Sequence, residues 1–370
     1  MRTSDAAVLA TLLVHARDGI AWAGTLDASI AGAAQHHDVG PLAFHALHAL
    51  EAWDRQSDDV RDALSRIAGE AAILDRLQID SDRTVIAALA AAGVEPVVFK
   101  GAALAHRHYP HSWMRPRVDT DLFIRAREQT TTARVLESLG FARAARPTGE
   151  HVTHQFTYSR ATPGGRIEYD VHWKISDPQV FADVLTYDEA VRDAVPLPAL
   201  GASARAIGDT HALVVACVHR VAHHFNTDRL LLLYDIDLIA RTLDEAGWES
   251  VAAFAAARHV RAVCAHGLTL AAGRFATPVP ACVRNALDAG PSEPTAAYLN
   301  ADLRRVDILR SDLSALGWSA RARLLREHLL PSPSFMLASY GRPHAATLPA
   351  LYLHRIVRGA FEWFRPLRSK

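Results

Sequence analysis

The chain has no surplus of charge of either sign: 40 Lys and Arg residues are matched by 40 Asp and Glu among 370 residues. A protein that grips a nucleic-acid backbone or an anionic membrane over a broad face needs a field of one sign, so any polyanion must be bound locally here. Cysteine is scarce. Cys217, Cys264 and Cys282 are widely spaced and form no CxxC pair, which argues against a disulfide framework and a structural zinc site and fits a reducing, cytoplasmic setting. No run of about 18 apolar residues occurs, so a membrane span is not expected. The opening MRTSDAAVLATLLVHARDG carries His15 and lacks the basic start and small-residue cleavage site of an export signal. Internal repeats and low-complexity tracts are missing as well. What is there is a globular composition, half of it hydrophobic and long enough for two or three domains around a sizeable core.

Three regions differ in character. Residues 1–92 are rich in Ala and Leu at helical spacing, interrupted at Gly40-Pro41 and around Asp54 to Asp59, and read as three or four helices. Residues 93–197 hold the only strand-rich part: VEPVVFKG, DTDLFIR, HQFTYSR and RIEYDVHWKI are short runs of Val, Ile, Phe, Tyr and Thr, the first two followed by helical segments. A small mixed or mostly antiparallel sheet over about 94–195, backed by helices over 102–109 and 128–139, is expected. Residues 198–370 return to helices, with Asp209 as the expected N-cap of DTHALVVACVHRVAHHF. Pro331, Pro333 and Gly341-Arg342-Pro343 interrupt them before a last basic, aromatic helix over roughly 348–364. The predicted fold class is therefore α+β, a small mixed-sheet core flanked by all-helical regions.

The chemistry concentrates in the central block. In VDTDLFI, Asp119 and Asp121 fall on one side of an extended strand, because successive side chains alternate faces. Two carboxylates so placed repel each other and lose hydration unless a cation sits between them. In RIEYDVHW the same period puts Glu168, Asp170 and His172 on one face, and Ile167, Tyr169, Val171 and Trp173 on the other. If the two strands are neighbours, Asp170 completes a three-carboxylate metal site with Asp119 and Asp121. Hard oxygen ligands suit Mg²⁺ or Mn²⁺, which take their remaining ligands from water and substrate phosphates. A nucleoside triphosphate is thereby implied. Upstream, VVFKG turns into AALAHRHY: Gly101 admits a phosphate close to the backbone, and the helix start at Ala102 offers unpaired amides. Lys100, Arg115 and Arg117 supply cations nearby.

The order Lys100-Gly101, Arg115-Pro116, Asp119-Thr120-Asp121-Leu122, a helix ending Leu139-Gly140-Phe141, and Asp170-Val171-His172-Trp173 resembles the bacterial uncharacterised nucleotidyltransferase family of the polymerase-β-like superfamily. In weaker form the likeness reaches His219, His223 and RLLLLYD from Arg229 to Asp235, and so covers about residues 95–250. Wider relatives carry Gly-Ser before the first helix, whereas Gly101 is followed here by Ala102, which removes a hydroxyl that would meet phosphate. The resemblance implies a polymerase-β-like core. It also implies transfer of a nucleoside monophosphate from a triphosphate such as ATP, with Mg²⁺ or Mn²⁺ and release of pyrophosphate. Asp119 and Asp121 would hold metal; Asp170 would be metal ligand, general base, or both. Lys100, Gly101, Ala102, Arg115 and His172 would contact the nucleotide. The implied acceptor is a hydroxyl or phosphate of a small molecule, peptide or protein rather than a nucleic acid. A toxin-like enzyme acting on tRNA and a non-catalytic nucleotide-binding or scaffold protein are the alternatives.

Plainer readings stand beside these. Lys100 can equally be an exposed strand-end lysine, and Arg117 reads as surface charge. His219 and His223, four apart on a helix, have zinc-ligand spacing but no third ligand in view, so packing or hydrogen bonding against the central block is expected, with His224 facing elsewhere. Arg229 and Asp235 read as a structural pair. Trp173, Trp248 and Trp318 read as core anchors, and the segment from Arg355 to Lys370 as a capping amphipathic helix.

Overall fold

A computed structural model of the chain describes residues 3–145, 149–288, 293–342 and 344–367. Four helices precede the sheet: α1 (Thr3–Asp18), α2 (Ile30–His36), α3 (Gly40–Ala49) and the long α4 (Asp58–Ala91). Asp58 and Asp59 stand in the first turn of α4, where acidic groups complement the helix dipole, and the chain leaves its end through Gly93 at φ +77°. The buried face of α4 changes chemistry along its length. Val60, Leu64 and Ala68 are followed by Asp75, Gln78, Ser81 and Asp82, and then by Val85, Ile86 and Leu89. The polar middle of that face lies against the strands that carry the site.

The sheet contains β1 (Val97–Phe99), β2 (Thr120–Phe123), β3 (Ala142–Arg143), β4 (Gln155–Thr162), β5 (Gly165–His172), β6 (Val195–Pro196) and β7 (Arg205–Ala206), in the order β3-β4-β5-β2-β1-β7-β6. It is mixed, since β2 runs parallel to β5 and β1 parallel to β7 while the other neighbours are antiparallel. Helices α5 (Lys100–His108) and α6 (Gln129–Ser138) follow β1 and β2. The fold is α+β, and the sheet continues past residue 197 to Ala206.

The helices after β5 are α7 (Gln179–Ala182), α8 (Tyr187–Arg192), α9 (Asp209–Ala222), α10 (Leu230–Thr242), α11 (Glu245–Ala257), α12 (Arg261–Phe275), α13 (Ala281–Asp288), α14 (Arg305–Ala315), α15 (Trp318–Leu329), α16 (Pro333–Ser339) and α17 (Leu348–Glu362). The N-cap of α9 is Gly208 and not Asp209; the Asp209 carboxylate is taken instead by Arg107 at 2.5 Å and His108 at 3.3 Å. No helix among the described residues is long and apolar enough to cross a membrane.

Strand alternation divides the interior into two clusters. Val97, Phe99 and Phe123 face a large core shared with α1, α3 and α9 to α12, so the helices before and after the sheet pack together through it. Val98, Leu122, Ile124, Tyr169 and Val171 face a second core with the end of α4, Ala102 and Ala103 of α5, and Leu136 of α6. Each fully buried large apolar side chain contributes about 1.5–3 kcal/mol, which favours one register over any slip that would swap the faces. Trp248 is buried and Trp173 packs half-buried on the second core, as expected of anchors. Trp318 is not an anchor: it is 84 % exposed at the start of α15, with the Arg321 guanidinium 5.0 Å from its ring.

Candidate active site

The parallel register of β2 and β5 pairs Asp121 with Asp170 and Phe123 with His172, while antiparallel β1 sets Phe99 opposite Asp121. Two strands thus bring Asp121, Asp170 and His172 to one face, with their ligand atoms all within 4.8 Å of one another and all three residues buried. Asp119 lies just outside β2, half-buried at its mouth. Burial, and then the charges of Asp121 and Asp170, push its carboxyl up to about 7.

Lys100 stands in the middle of this group. It follows β1 directly and adopts φ +52°, a left-handed conformation costly for a residue with a Cβ. The bend delivers Nζ to 2.8 Å from Asp121 Oδ1 and 3.3 Å from His172 Nε2, with the ammonium 4.7 Å over the Phe99 ring. His172 Nε2 lies 2.9 Å from the same Asp121 oxygen. Burial alone would raise the Asp121 carboxyl; the Lys100 charge and the His172 hydrogen bond overcome it and hold Asp121 far below the usual carboxylate range. Lys100 is therefore neither an exposed strand-end lysine nor, in this state, an arm free to meet phosphate.

Asp170 is fixed from β4, where Thr157 pairs with it in register. Thr157 Oγ1 donates to Oδ1, and Gln155 Nε2 donates to Oδ2 at 2.8 Å. Spacing within HQFTYSR puts Gln155 and Thr157 on one face, a polar alternation that could have marked them; the sequence reading did not single them out.

A second set of polar residues works from behind. Asp82 of α4, fully buried, accepts from Gln78 Nε2 (3.1 Å), Thr120 Oγ1 (3.1 Å) and Tyr169 OH (2.9 Å). Thr120 and Tyr169 are register partners on β2 and β5, one residue before Asp121 and Asp170 and on the opposite face. Asp82 thereby ties to one helix the two strands whose register sets the spacing of Asp121 and Asp170. Arg117 belongs here and is not surface charge: its side chain is 3 % exposed, paired with Asp75 at 2.5 Å and 3.6 Å from Asp82.

Arg115 is committed too. Its Nε and NH2 donate to Asp235 of α10 at 2.9 and 2.7 Å, and Tyr109 OH adds a third hydrogen bond at 2.7 Å. Asp235 is thus paired with Arg115 rather than Arg229, which reaches Asp38 at 3.0 Å. The third guanidinium nitrogen explains Gly101: a Cβ there would stand 2.7 Å from Arg115 NH1. The glycine makes room for this arginine. The methyl of Ala102 is buried in the second core, so only its backbone is available at the start of α5.

His219, His223 and His224 come from the end of α9. His223 Nε2 meets Ser176 Oγ at 3.1 Å, a bond to the segment after β5. His224 does not face elsewhere: its Nε2 lies 3.0 Å from His219 Nε2, so one ring must donate and the other accept. Burial first, and Lys100 among the neighbouring charges, hold all three well toward the neutral form, His224 down to about 4.

The donor set fits a divalent cation. Two carboxylates and an imidazole converge, a third carboxyl is driven up by burial and then by its neighbours' charge, a lysine supplies the missing positive charge, and His172 Nδ1 is buried without a partner among the described residues. A small mixed sheet with paired carboxylates on adjacent strands, reached by Lys100 from the start of the helix after β1, is the arrangement expected of the nucleotidyltransferase resemblance. The sequence profile of a family described as uncharacterised nucleotidyltransferase matches residues 27–276, and the chain belongs to that family. No curated protein matches the chain.

Proposed function

We propose that the protein transfers a nucleoside monophosphate from a nucleoside triphosphate to a hydroxyl or phosphate of a small molecule or peptide, releasing pyrophosphate, in the cytoplasm. Family membership supports a nucleotidyl-transferring enzyme with a triphosphate substrate. The observation that carries the rest is the convergence of Asp121, Asp170 and His172 beside an Asp119 carboxyl pushed up to about 7. Asp119, Asp121 and Asp170 are assigned to hold Mg²⁺ or Mn²⁺, with His172 beside them. Bound there, such an ion would draw in the triphosphate oxygens and offset the charge that develops as pyrophosphate leaves.

The other roles fall to the chain's own groups. Asp170, oriented by Gln155 and Thr157, accepts the proton of the acceptor hydroxyl or fixes its direction. Lys100 exchanges Asp121 for a phosphate oxygen, since its ammonium already lies on the site's face and needs only a side-chain rotation. The amides opening α5 from Gly101 onward lack a side-chain cap and are suited to phosphate. Arg115, locked on Asp235, ties the segment before β2 to α10 and leaves NH1 beside Gly101. Residues 1–92 and the helices from α9 onward are assigned to the acceptor side, around a core at 93–197 whose sheet extends to Ala206. A non-catalytic nucleotide-binding protein would have no need to retain all three carboxylates. The test is pyrophosphate release with Mg²⁺, each of the four ribonucleoside triphosphates and a panel of hydroxyl and phosphate acceptors. Release that depends on metal and disappears in Asp121→Asn supports the reading; the absence of both release and metal-dependent triphosphate binding would refute it.

A further inference from the structure

Although the chain is neutral overall, its charge is polarised: residues 304–370 carry 12 Arg and Lys against four Asp and Glu, a balance of +8, which leaves −8 for residues 1–303. That basic segment lies beyond the family-matched residues 27–276, and its described residues include α14 to α17. Between α14, α15 and α17 it encloses a cleft of about 610 Å³, within the range of about 300–1,000 Å³ in which proteins bury ligands and anchoring side chains. Leu325, Leu329, Ile356 and Phe364 line it, each more than a third exposed, an uncommon state for large apolar groups gathered in one place. Arg305, Arg355 and Arg358 stand at its rim. Arg358 is paired with Glu362 at 3.2 Å, the one acidic residue lining the cleft, whereas Arg305 and Arg355 have no carboxylate partner among the described residues.

We propose that this cleft is a docking site for an acidic amphipathic peptide segment that serves as the recognition element of a peptide or protein acceptor. An apolar floor with unpaired arginines at its edge is complementary to a helix carrying apolar residues on one face and Glu or Asp beside them. The concave shape favours a peptide over a lipid surface, because the apolar groups are set between helices and not on a projecting face. The cleft is also joined to the catalytic face. The Glu327 carboxylate of α15 accepts the backbone N–H groups of Glu150, His151 and Val152 at 2.8 to 2.9 Å, and Arg323 pairs with Glu150. The Asp312 carboxylate of α14 accepts from Gln179 N at 2.7 Å. Residues 150–154 lead into β4, whose Gln155 and Thr157 hold Asp170. That the docked segment belongs to the acceptor rests on the transferase reading; that an acidic peptide binds does not.

The experiment uses the full chain and fluorescence anisotropy, with a labelled synthetic peptide carrying Leu at helical spacing and Glu elsewhere, and a counterpart with Lys in place of every Glu. The Glu peptide is expected to bind roughly tenfold more tightly than the Lys peptide at low salt, with the difference shrinking as salt is added. The double variant Arg305→Glu/Arg355→Glu should reverse the preference, and Ile356→Asp should weaken both peptides; a melting curve matching the parent shows that each variant is folded. Equal binding of both peptides, an unchanged preference in the double variant, binding to phosphatidylglycerol vesicles but not to the peptide, or a dimer held through this cleft in sedimentation would each overturn the proposal. Neither metal nor nucleotide enters the assay, so its failure leaves the transferase reading untouched, and a failed transfer assay leaves peptide binding standing.

Discussion

Replacing Lys100 by Met removes an ammonium while keeping a long side chain and the Cβ that makes the left-handed backbone costly. The Asp121 carboxylate and the Lys100 ammonium are each only 7 % exposed and lie 2.8 Å apart. Breaking such a buried pair from one side costs about 3–5 kcal/mol, because the remaining charge is left without its partner. His172 still reaches Asp121 at 2.9 Å, which puts the expected loss at the lower end, about 3 kcal/mol. At about 2.1 cal/mol/K of unfolding entropy per residue, a chain of 370 residues shifts its melting temperature by about 1.3 °C per kcal/mol, so metal-free Lys100→Met should melt roughly 4 °C below the parent. Mg²⁺ should then raise the variant more than the parent, since in the parent the ion must displace the ammonium from Asp121. Lys100→Gly offers an internal check. It also loses the ammonium but relieves the φ +52° backbone, and should be more stable than Lys100→Met by about 1 kcal/mol. Calorimetry in chelator and in Mg²⁺ reads all three proteins. A Lys100→Met protein that melts with the parent in chelator, or that gains no more than the parent from Mg²⁺, would refute the reasoning.

Asp82→Ala should cost about 1–3 kcal/mol in chemical denaturation, by leaving the Thr120 hydroxyl without its acceptor while Tyr169 keeps Ser81 and Gln78 keeps Thr120, and should lower turnover through the Asp121–Asp170 register. Asp82→Asn, which can still accept, should stay near the parent; an Ala variant unchanged in both measurements contradicts the account. Asp170→Asn should abolish turnover, and Asp119→Asn should in addition weaken metal-dependent triphosphate binding; near-parental turnover in Asp170→Asn removes this carboxylate from the mechanism. The pH dependence centres on His224, whose folded value is depressed from 6.5 to about 4, chiefly by burial. A depressed value favours the neutral ring, so the stability it contributes is present above 6.5 and is lost as pH falls toward 4. Melting curves across that interval should fall less steeply for His224→Gln than for the parent, and parallel curves would count against a neutral His219–His224 pair.

Period two made much of the site legible. DTDLF and YDVHW place Asp121, Asp170 and His172 on one face once their strands are neighbours, and the structure pairs Asp121 with Asp170 in register and sets His172 two residues on, opposite Phe123. The same period in HQFTYSR held Gln155 and Thr157, but polar residues at alternate positions also describe an ordinary solvated strand face. Pairings between distant elements left no local trace. Asp235 lies 120 residues from Arg115, and Asp75 lies 42 from Arg117, so Arg117 looked exposed when it is buried. Asp75, Gln78 and Asp82 sit at helical spacing, where polar residues usually face water, and only the contact with β2 and β5 reveals their role. Gly101 drew attention to phosphate when the unusual backbone belongs to Lys100 and the open space to Arg115. The strands at 195–196 and 205–206 are two residues each, too short for any period to register.

The claim on which the account turns is that Asp119, Asp121 and Asp170 form one site at which metal and triphosphate bind together. Isothermal titration of a non-hydrolysable nucleoside triphosphate analogue into the protein, with Mg²⁺ and with chelator, tests it directly. The account predicts binding that requires Mg²⁺ in the parent and is lost in Asp121→Asn. Equal affinity with and without the ion, or Mg²⁺-dependent binding that survives Asp121→Asn, would contradict it.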